Sequence, residues 1–72
     1  MKLREARVSN FLSMAKLAEK AKVSVATIRD VEVGKHRPSL TTCGKLATAL
    51  GMPPQEIDEC RETMERSLGG AE

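Results

Sequence analysis

The sequence contains almost no aromatic residues. Among its 72 residues Phe11 is the only one, and Trp and Tyr are absent. A core without aromatic rings must be filled by Leu, Ile, Val, Met and Ala, which suits close-packed helices better than a sheet. Residues 23–28, VSVATI, form the only strand-like run, and no second alternating segment exists with which it could pair. We therefore expect an all-α fold.

The side chains that catalysis or metal binding requires are also scarce. The chain has one His and two Cys, Cys43 and Cys60, with no second cysteine pair. Neither a disulfide framework nor a zinc knuckle is indicated, so we expect two buried or semi-buried thiols that stay reduced. The scattered carboxylates form no set of nucleophile, base and orienting group, and no Gly-rich phosphate loop is present. We expect a protein that is not an enzyme and has no metal, cofactor or small-molecule ligand.

Long apolar segments are missing as well. No secretory signal, transmembrane stretch or lipidation motif can be recognised, so a cytoplasmic location without membrane attachment is expected. The length allows one domain, close to the size at which a single core only just offsets the entropy of ordering the chain. We assign this domain to residues 1–68 and expect residues 69–72 to be frayed.

Charge is plentiful but unevenly distributed. Residues 1–52 carry ten Lys or Arg against four acids, and residues 53–72 carry two against six, so local net charges of +6 and −4 underlie the overall +2. A basic body with an acidic end is typical of proteins that bind a polyanion. A solvated helical surface with a solubilising acidic tail would give the same pattern.

Helix starts are indicated by three serines, at positions 13, 24 and 39, because a serine hydroxyl can accept hydrogen bonds from the free amides of a first turn. Gly34 and Gly51 suit helix ends, and Pro53 and Pro54 suit the start of a final helix. Gly44 lies inside the fourth predicted helix, where close approach of a neighbouring backbone would account for a glycine. The predicted helices span residues 2–9, 14–21, 25–33, 40–50 and 54–68.

The third helix has an unusual outer face. Ile28 and Val31 suffice to hold it on the core, and the opposite face carries both small apolar and charged groups. A solvated face more often carries Lys, Glu and Gln, whereas Val and Ala can contact a thymine methyl, Arg a guanine edge and Asp a cytosine amine. This face includes Val25, Ala26, Arg29, Asp30 and Val33.

The second and third helices are joined by three residues, which predicts a helix-turn-helix over residues 14–33 with residues 25–33 as recognition helix. The segment FLSMAKLAEKAKVSVATIRDVEVGKHRPSLTTCGKLATALGM resembles the helix-turn-helix family of Cro and the phage repressors, also called the XRE family. The resemblance is carried by Leu17-Ala18, Val23-Ser24, Ile28, the Glu32-x-Gly34-x-x-x-Pro38 string and Leu46-Ala47-x-x-Leu50-Gly51. It implies a compact five-helix, lambda-repressor-like bundle that binds double-stranded DNA, commonly as a dimer on a two-fold operator.

The resemblance also implies roles for individual residues. Arg7 and Glu32 match a pair that forms a structural salt bridge between the first and third helices. Base contacts are expected from Val25, Ala26, Arg29 and Asp30. Contacts to the DNA backbone are expected from Ser13, Met14, Thr27, Lys35, His36, Arg37 and Lys45. Met14 stands where relatives often have a Gln that holds a phosphate, and since Met cannot donate, only backbone amides remain there.

The last predicted helix carries an apolar stripe on a charged surface. Ile57, Cys60, Met64 and Leu68 recur at helical spacing. The stripe from Cys60 onward can pack on its own chain or pair with a second copy, and we favour a homodimer contact through Cys60, Met64 and Leu68.

The sequence predicts a sequence-specific DNA-binding transcriptional regulator, most simply a repressor. The alternative is a protein-interaction module or antitoxin subunit that uses the same third-helix face on a protein partner, because exposed valines suit that role equally well.

Overall fold

The computed structural model describes residues 1–69, and within them all regular structure is helical. Five α-helices follow in the order α1 (Leu3–Ser9), α2 (Met14–Ala21), α3 (Val25–Glu32), α4 (Leu40–Leu50) and α5 (Asp58–Met64). A 3-10 turn, Pro54–Glu56, precedes α5, and a π-helical turn, Glu65–Gly69, continues it. The predicted all-α, five-helix class is confirmed. No helix in this part of the chain is long and apolar enough to cross a membrane.

The starts of the three central helices lie where the serines predicted them. Ser13, Ser24 and Ser39 have extended backbones, and each hydroxyl accepts a hydrogen bond from the amide three residues on. Each bond satisfies one amide that the first helical turn leaves without a partner, which is worth about 1 kcal/mol per helix.

A single core joins the five helices. Its largest fully buried side chains are Leu3, Leu17, Ile28, Leu46 and Ile57, together with both cysteines. Each of the five helices, or the turn beside it, contributes at least one of these groups. No helix of 7 to 11 residues is stable alone in water, so shared burial holds them in place.

The predicted last helix, residues 54–68, is wrong in its first part. The chain leaves the 3-10 turn at Ile57, whose φ of −92° and ψ of 117° are extended, and α5 begins only at Asp58. Ile57 is fully buried, and the Asp58 amide donates to the Met1 carbonyl at 2.8 Å. The break turns Ile57 into the core and places α5 beside the N-terminus.

The predicted state of the cysteines is also wrong. Cys43 on α4 and Cys60 on α5 are joined in a disulfide, with a Cα–Cα distance of 5.6 Å that is usual for such a bond. Both residues are buried, as expected, but neither is a free thiol. Spacing in the sequence could not reveal the pair, because the two residues meet only when α5 packs on α4.

Gly44 does not mark a close backbone approach. A Cβ built at this position meets no atom within 4 Å, and the residue lies on the exposed side of α4. The packing reason suggested by the sequence is therefore wrong, and the structure shows no contact that requires glycine here.

Candidate nucleic-acid interface

The outer face of α3 is exposed as the sequence predicted. Ile28 and Val31 are 0% and 3% exposed and hold the helix on the core, whereas Val25 is 44% and Val33 68% exposed. Ala26 and Arg29 are exposed on the same helix. Two valines, an alanine and an arginine thus lie at the surface, beside the partly buried Asp30.

The turn before α3 is tight and well bonded. Lys22 adopts the left-handed conformation with φ 60°, and the Val23 amide donates to the Ala18 carbonyl at 2.9 Å. Ser24 Oγ accepts from the Thr27 amide and lies 2.8 Å from Thr27 Oγ1. The Thr27 side chain, a predicted phosphate contact, is therefore engaged with the helix cap.

Arg7 and Glu32 connect α1 to the end of α3. Arg7 Nε donates to Glu32 Oε2 at 2.6 Å and Nη2 donates to Oε1 at 3.1 Å. Nη1 donates to the Leu12 carbonyl at 2.9 Å. The side chains are only 12% and 3% exposed, and the hydrogen bond to Glu32 raises the pKa of Arg7 above its usual value. This partly buried, bidentate pair orients α3 relative to α1.

The loop of residues 34–38 folds back on α3. Lys35 and His36 donate their amides to the Asp30 carbonyl at 2.8 and 3.2 Å. His36 Nε2 lies 4.0 Å from Asp30 Oδ2, and the Asp30 side chain is 21% exposed. The loop therefore shields Asp30, a predicted base contact, while the Lys35 and His36 side chains remain exposed.

The end of the loop contacts α5. Arg37 Nε lies 3.9 Å from Glu62 Oε1, and Thr63 Oγ1 donates to the Pro38 carbonyl at 2.7 Å. Pro38 and Thr63 are buried. A cleft of about 520 Å³ lies between the loop, the start of α1 and α5, with Lys2, Lys35, Glu59 and Glu62 among its lining residues. The predicted phosphate contact Arg37 thus faces a carboxylate in the free protein.

The remaining predicted backbone contacts lie on other helices. Ser13 is exposed and caps α2, whereas Met14 is half-buried and packs on the core, which leaves that helix start with backbone donors. Lys45 is exposed on α4 and borders a groove with Lys20 and Lys22. Three lysines from α2, its cap and α4 therefore lie around one surface depression.

The three residues predicted to form a dimer contact, Cys60, Met64 and Leu68, differ in their surroundings. Cys60 is fully buried and bonded to Cys43 of its own chain, so its assignment as a dimer contact is wrong. Met64 is partly exposed. Leu68 lies outside the described side chains, and residues 70–72 of the predicted tail lie outside the described chain.

Sequence reasoning missed the contacts that hold α5. In the sequence, Thr63 looks like an ordinary polar helix residue and Glu59 like one of several surface acids. In the structure, Glu59 Oε1 accepts a hydrogen bond from the Leu3 amide at 2.9 Å. The period of the helix places Thr63 one turn after Cys60, but nothing in the sequence indicates that its hydroxyl donates to the Pro38 carbonyl. Among residues 1–69, no three His, Cys, Asp or Glu side chains are grouped to hold a metal ion.

Comparison with known proteins agrees with this geometry. A family model described as helix-turn-helix matches residues 3–57, which include α1 to α4 and the turn before α5. Searches of curated proteins and of solved structures find no significant match.

Proposed function

The chain belongs to the helix-turn-helix family of the Cro and phage-repressor type, and from this membership and the surface of α3 we propose that it is a sequence-specific regulator that binds double-stranded DNA. The observation that carries the proposal is the outer face of α3, where Val25, Ala26 and Arg29 are exposed while Ile28 and Val31 pack the opposite side of the helix on the core. In such a motif the second helix enters the major groove.

Arg29 is the proposed hydrogen-bonding reader of the base edges. Its guanidinium can donate two parallel bonds to a guanine, and the neighbouring valine and alanine can contact thymine methyls. The Asp30 side chain is partly covered by the loop, so it could contact a cytosine only if the loop moved away from it. We therefore assign Asp30 mainly to positioning the loop, because its backbone carbonyl accepts hydrogen bonds from the Lys35 and His36 amides.

The DNA backbone is proposed to run past the start of α2 and the loop after α3. Ser13 and the first amides of α2 offer donors at a positive helix end, and Lys35, His36 and Arg37 add charged or polar groups. Thr27 and Lys45 are further candidates, at the turn and on α4. Repression is the simplest mode of action, by occlusion of a promoter, and a homodimer on a two-fold operator would double this contact surface.

Fluorescence anisotropy tests the proposal. The chain is titrated against duplex DNA from around its own gene and against a scrambled duplex, each at several salt concentrations. We expect tighter binding to the native duplex and a linear fall of log affinity with log salt. Arg29→Ala should abolish the preference, with a loss of about 1–3 kcal/mol on the native duplex.

Two variants separate base reading from charge. Lys35→Gln should weaken binding to both duplexes alike and lower the salt slope by about one. Arg4→Ala is the matched control, since Arg4 is an exposed arginine on α1, and it should leave the preference unchanged. If neither duplex binds at low salt although circular dichroism shows an intact fold, the exposed valines of α3 point instead to a protein partner.

A further inference from the structure

The position of α5 depends on contacts outside the helix. With seven residues, Asp58–Met64, it is too short to be stable alone. It is held by burial of Cys60, by the disulfide to Cys43 and by the bond from the Leu3 amide to Glu59. The disulfide is the only one of these ties that a change of oxidation state can remove.

The same helix holds the loop that follows α3. Thr63, one turn after Cys60, donates to the Pro38 carbonyl, and this bond is buried. Glu62 faces Arg37 across 3.9 Å. Displacement of α5 would leave the Pro38 carbonyl without its protein donor and expose the back of the loop to water. The position of residues 34–38 is thus linked to α5, and that of α5 to the Cys43–Cys60 bond.

We propose that the Cys43–Cys60 pair is a redox-sensitive switch that sets the order of residues 34–38 through α5 and Thr63. In the oxidised protein the crosslink keeps α5 docked and the loop held. In the reduced protein α5 detaches more often, and the loop follows it.

The chemistry is thiol–disulfide exchange with a dithiol. A thiolate of the dithiol attacks one sulfur, the Cys43–Cys60 bond breaks, and a mixed disulfide forms while the other cysteine leaves as a thiolate that takes up a proton. The second thiol of the reagent then displaces the first cysteine, which is protonated in turn. Two electrons pass from the dithiol, which becomes a disulfide, to the protein. Because Cys43 and Cys60 are 1% and 0% exposed, attack requires prior opening of α5.

Hydrogen exchange tests the switch without DNA. The Lys35 and His36 amides, which donate to Asp30, report on the loop, and amides of α2 report on the core. We expect dithiothreitol to speed exchange at Lys35 and His36 by about fivefold or more, the lower end of typical coupling between sites, and to leave α2 unchanged. The Cys43→Ala/Cys60→Ala double variant should not respond. Unchanged loop amides, or equal acceleration of loop and core, would overturn the proposal.

Thr63→Val isolates the proposed connection. It removes the hydroxyl donor, keeps the side-chain volume and leaves both cysteines in place. Its loop amides should exchange rapidly in the oxidised state, and dithiothreitol should add little. Thr48→Val, on the exposed side of α4, is the matched control and should behave as wild type. A Thr63→Val protein with wild-type exchange and a wild-type response would contradict the role of Thr63.

The effect on DNA binding rests on the proposed function. Since the loop carries Lys35, His36 and Arg37, reduction should weaken binding to the native duplex by about fivefold, and the double cysteine variant should be insensitive to dithiothreitol. If both oxidation states bind DNA equally but loop exchange differs, the switch does not control DNA binding. The proposed function would then still hold. Absence of binding in both states would refute the proposed function, while the exchange result would still decide the coupling.

Discussion

Removal of the Arg7 guanidinium should be among the most destabilising single changes in this protein. The Glu32 side chain is 3% exposed, and Arg7 supplies it with two hydrogen bonds, of 2.6 and 3.1 Å. Arg7→Met keeps most of the aliphatic stem but leaves the carboxylate buried without its partner. It also removes the bond to the Leu12 carbonyl.

The expected loss follows from these contacts. Breaking a buried ion pair by removing one partner costs about 3–5 kcal/mol. A domain of this length has a total stability of roughly 4–10 kcal/mol. Arg7→Met should therefore lower the free energy of unfolding by about 3 kcal/mol or more, a large share of the total.

Urea unfolding of the oxidised protein, followed by circular dichroism, measures this loss. The matched control is Lys16→Ala, which removes an exposed 3.7 Å pair with Glu19 and should cost less than about 0.5 kcal/mol. The double variant Arg7→Met/Glu32→Leu should be more stable than Arg7→Met, because it no longer buries an unpaired charge. A loss below about 1 kcal/mol for Arg7→Met would refute the view that this pair is buried and structural.

Three further changes test other parts of the structure. Gly44→Ala should raise the free energy of unfolding by about 1 kcal/mol in urea titrations, because the site is helical and open to solvent; a loss would mean that the position is constrained by something else. Phe11→Gly should raise the melting temperature, since Phe11 is 95% exposed and adopts φ 58°, where a side chain costs about 1 kcal/mol or more; no change would show that the residue relaxes freely. The Met1 ammonium donates a hydrogen bond to Asp58 at 2.8 Å and lowers the pKa of that carboxyl below its value in the unfolded chain. The contribution of this ion pair to stability is therefore present above about pH 4 and is lost as pH falls through the pKa of Asp58 in the folded protein. Asp58→Asn should therefore flatten the acid side of the stability curve, and a curve identical to wild type would contradict this contribution.

The first four helices could be predicted from the sequence because their signals are local. Serine caps, glycines after helix ends and apolar residues at helical spacing act within one or two turns, and Ser24 caps the start of α3 as predicted. The exposed face of α3 follows from the same spacing, since burial of Ile28 and Val31 leaves Val25 and Val33 outside.

The region after Gly51 could not be predicted in the same way, because its structure is decided by distant contacts. The apolar spacing from Ile57 onward fits a continuous helix, but burial of Ile57 and the bond from Asp58 to Met1 favour a break. The pairing of Cys43 with Cys60, the bond from Thr63 to Pro38 and the shelter of Asp30 by the loop likewise depend on tertiary placement.

Nuclear magnetic resonance can show, residue by residue, whether the outer face of α3 and the following loop bind DNA. The ¹⁵N-labelled chain is titrated with a short duplex from around its own gene, and the shift of each backbone amide is followed. We expect the largest changes on residues 13–15 and 24–37, with the exposed face of α1 around Arg4 unchanged. Changes confined to α1 or α5, or no saturable change at low salt, would contradict it.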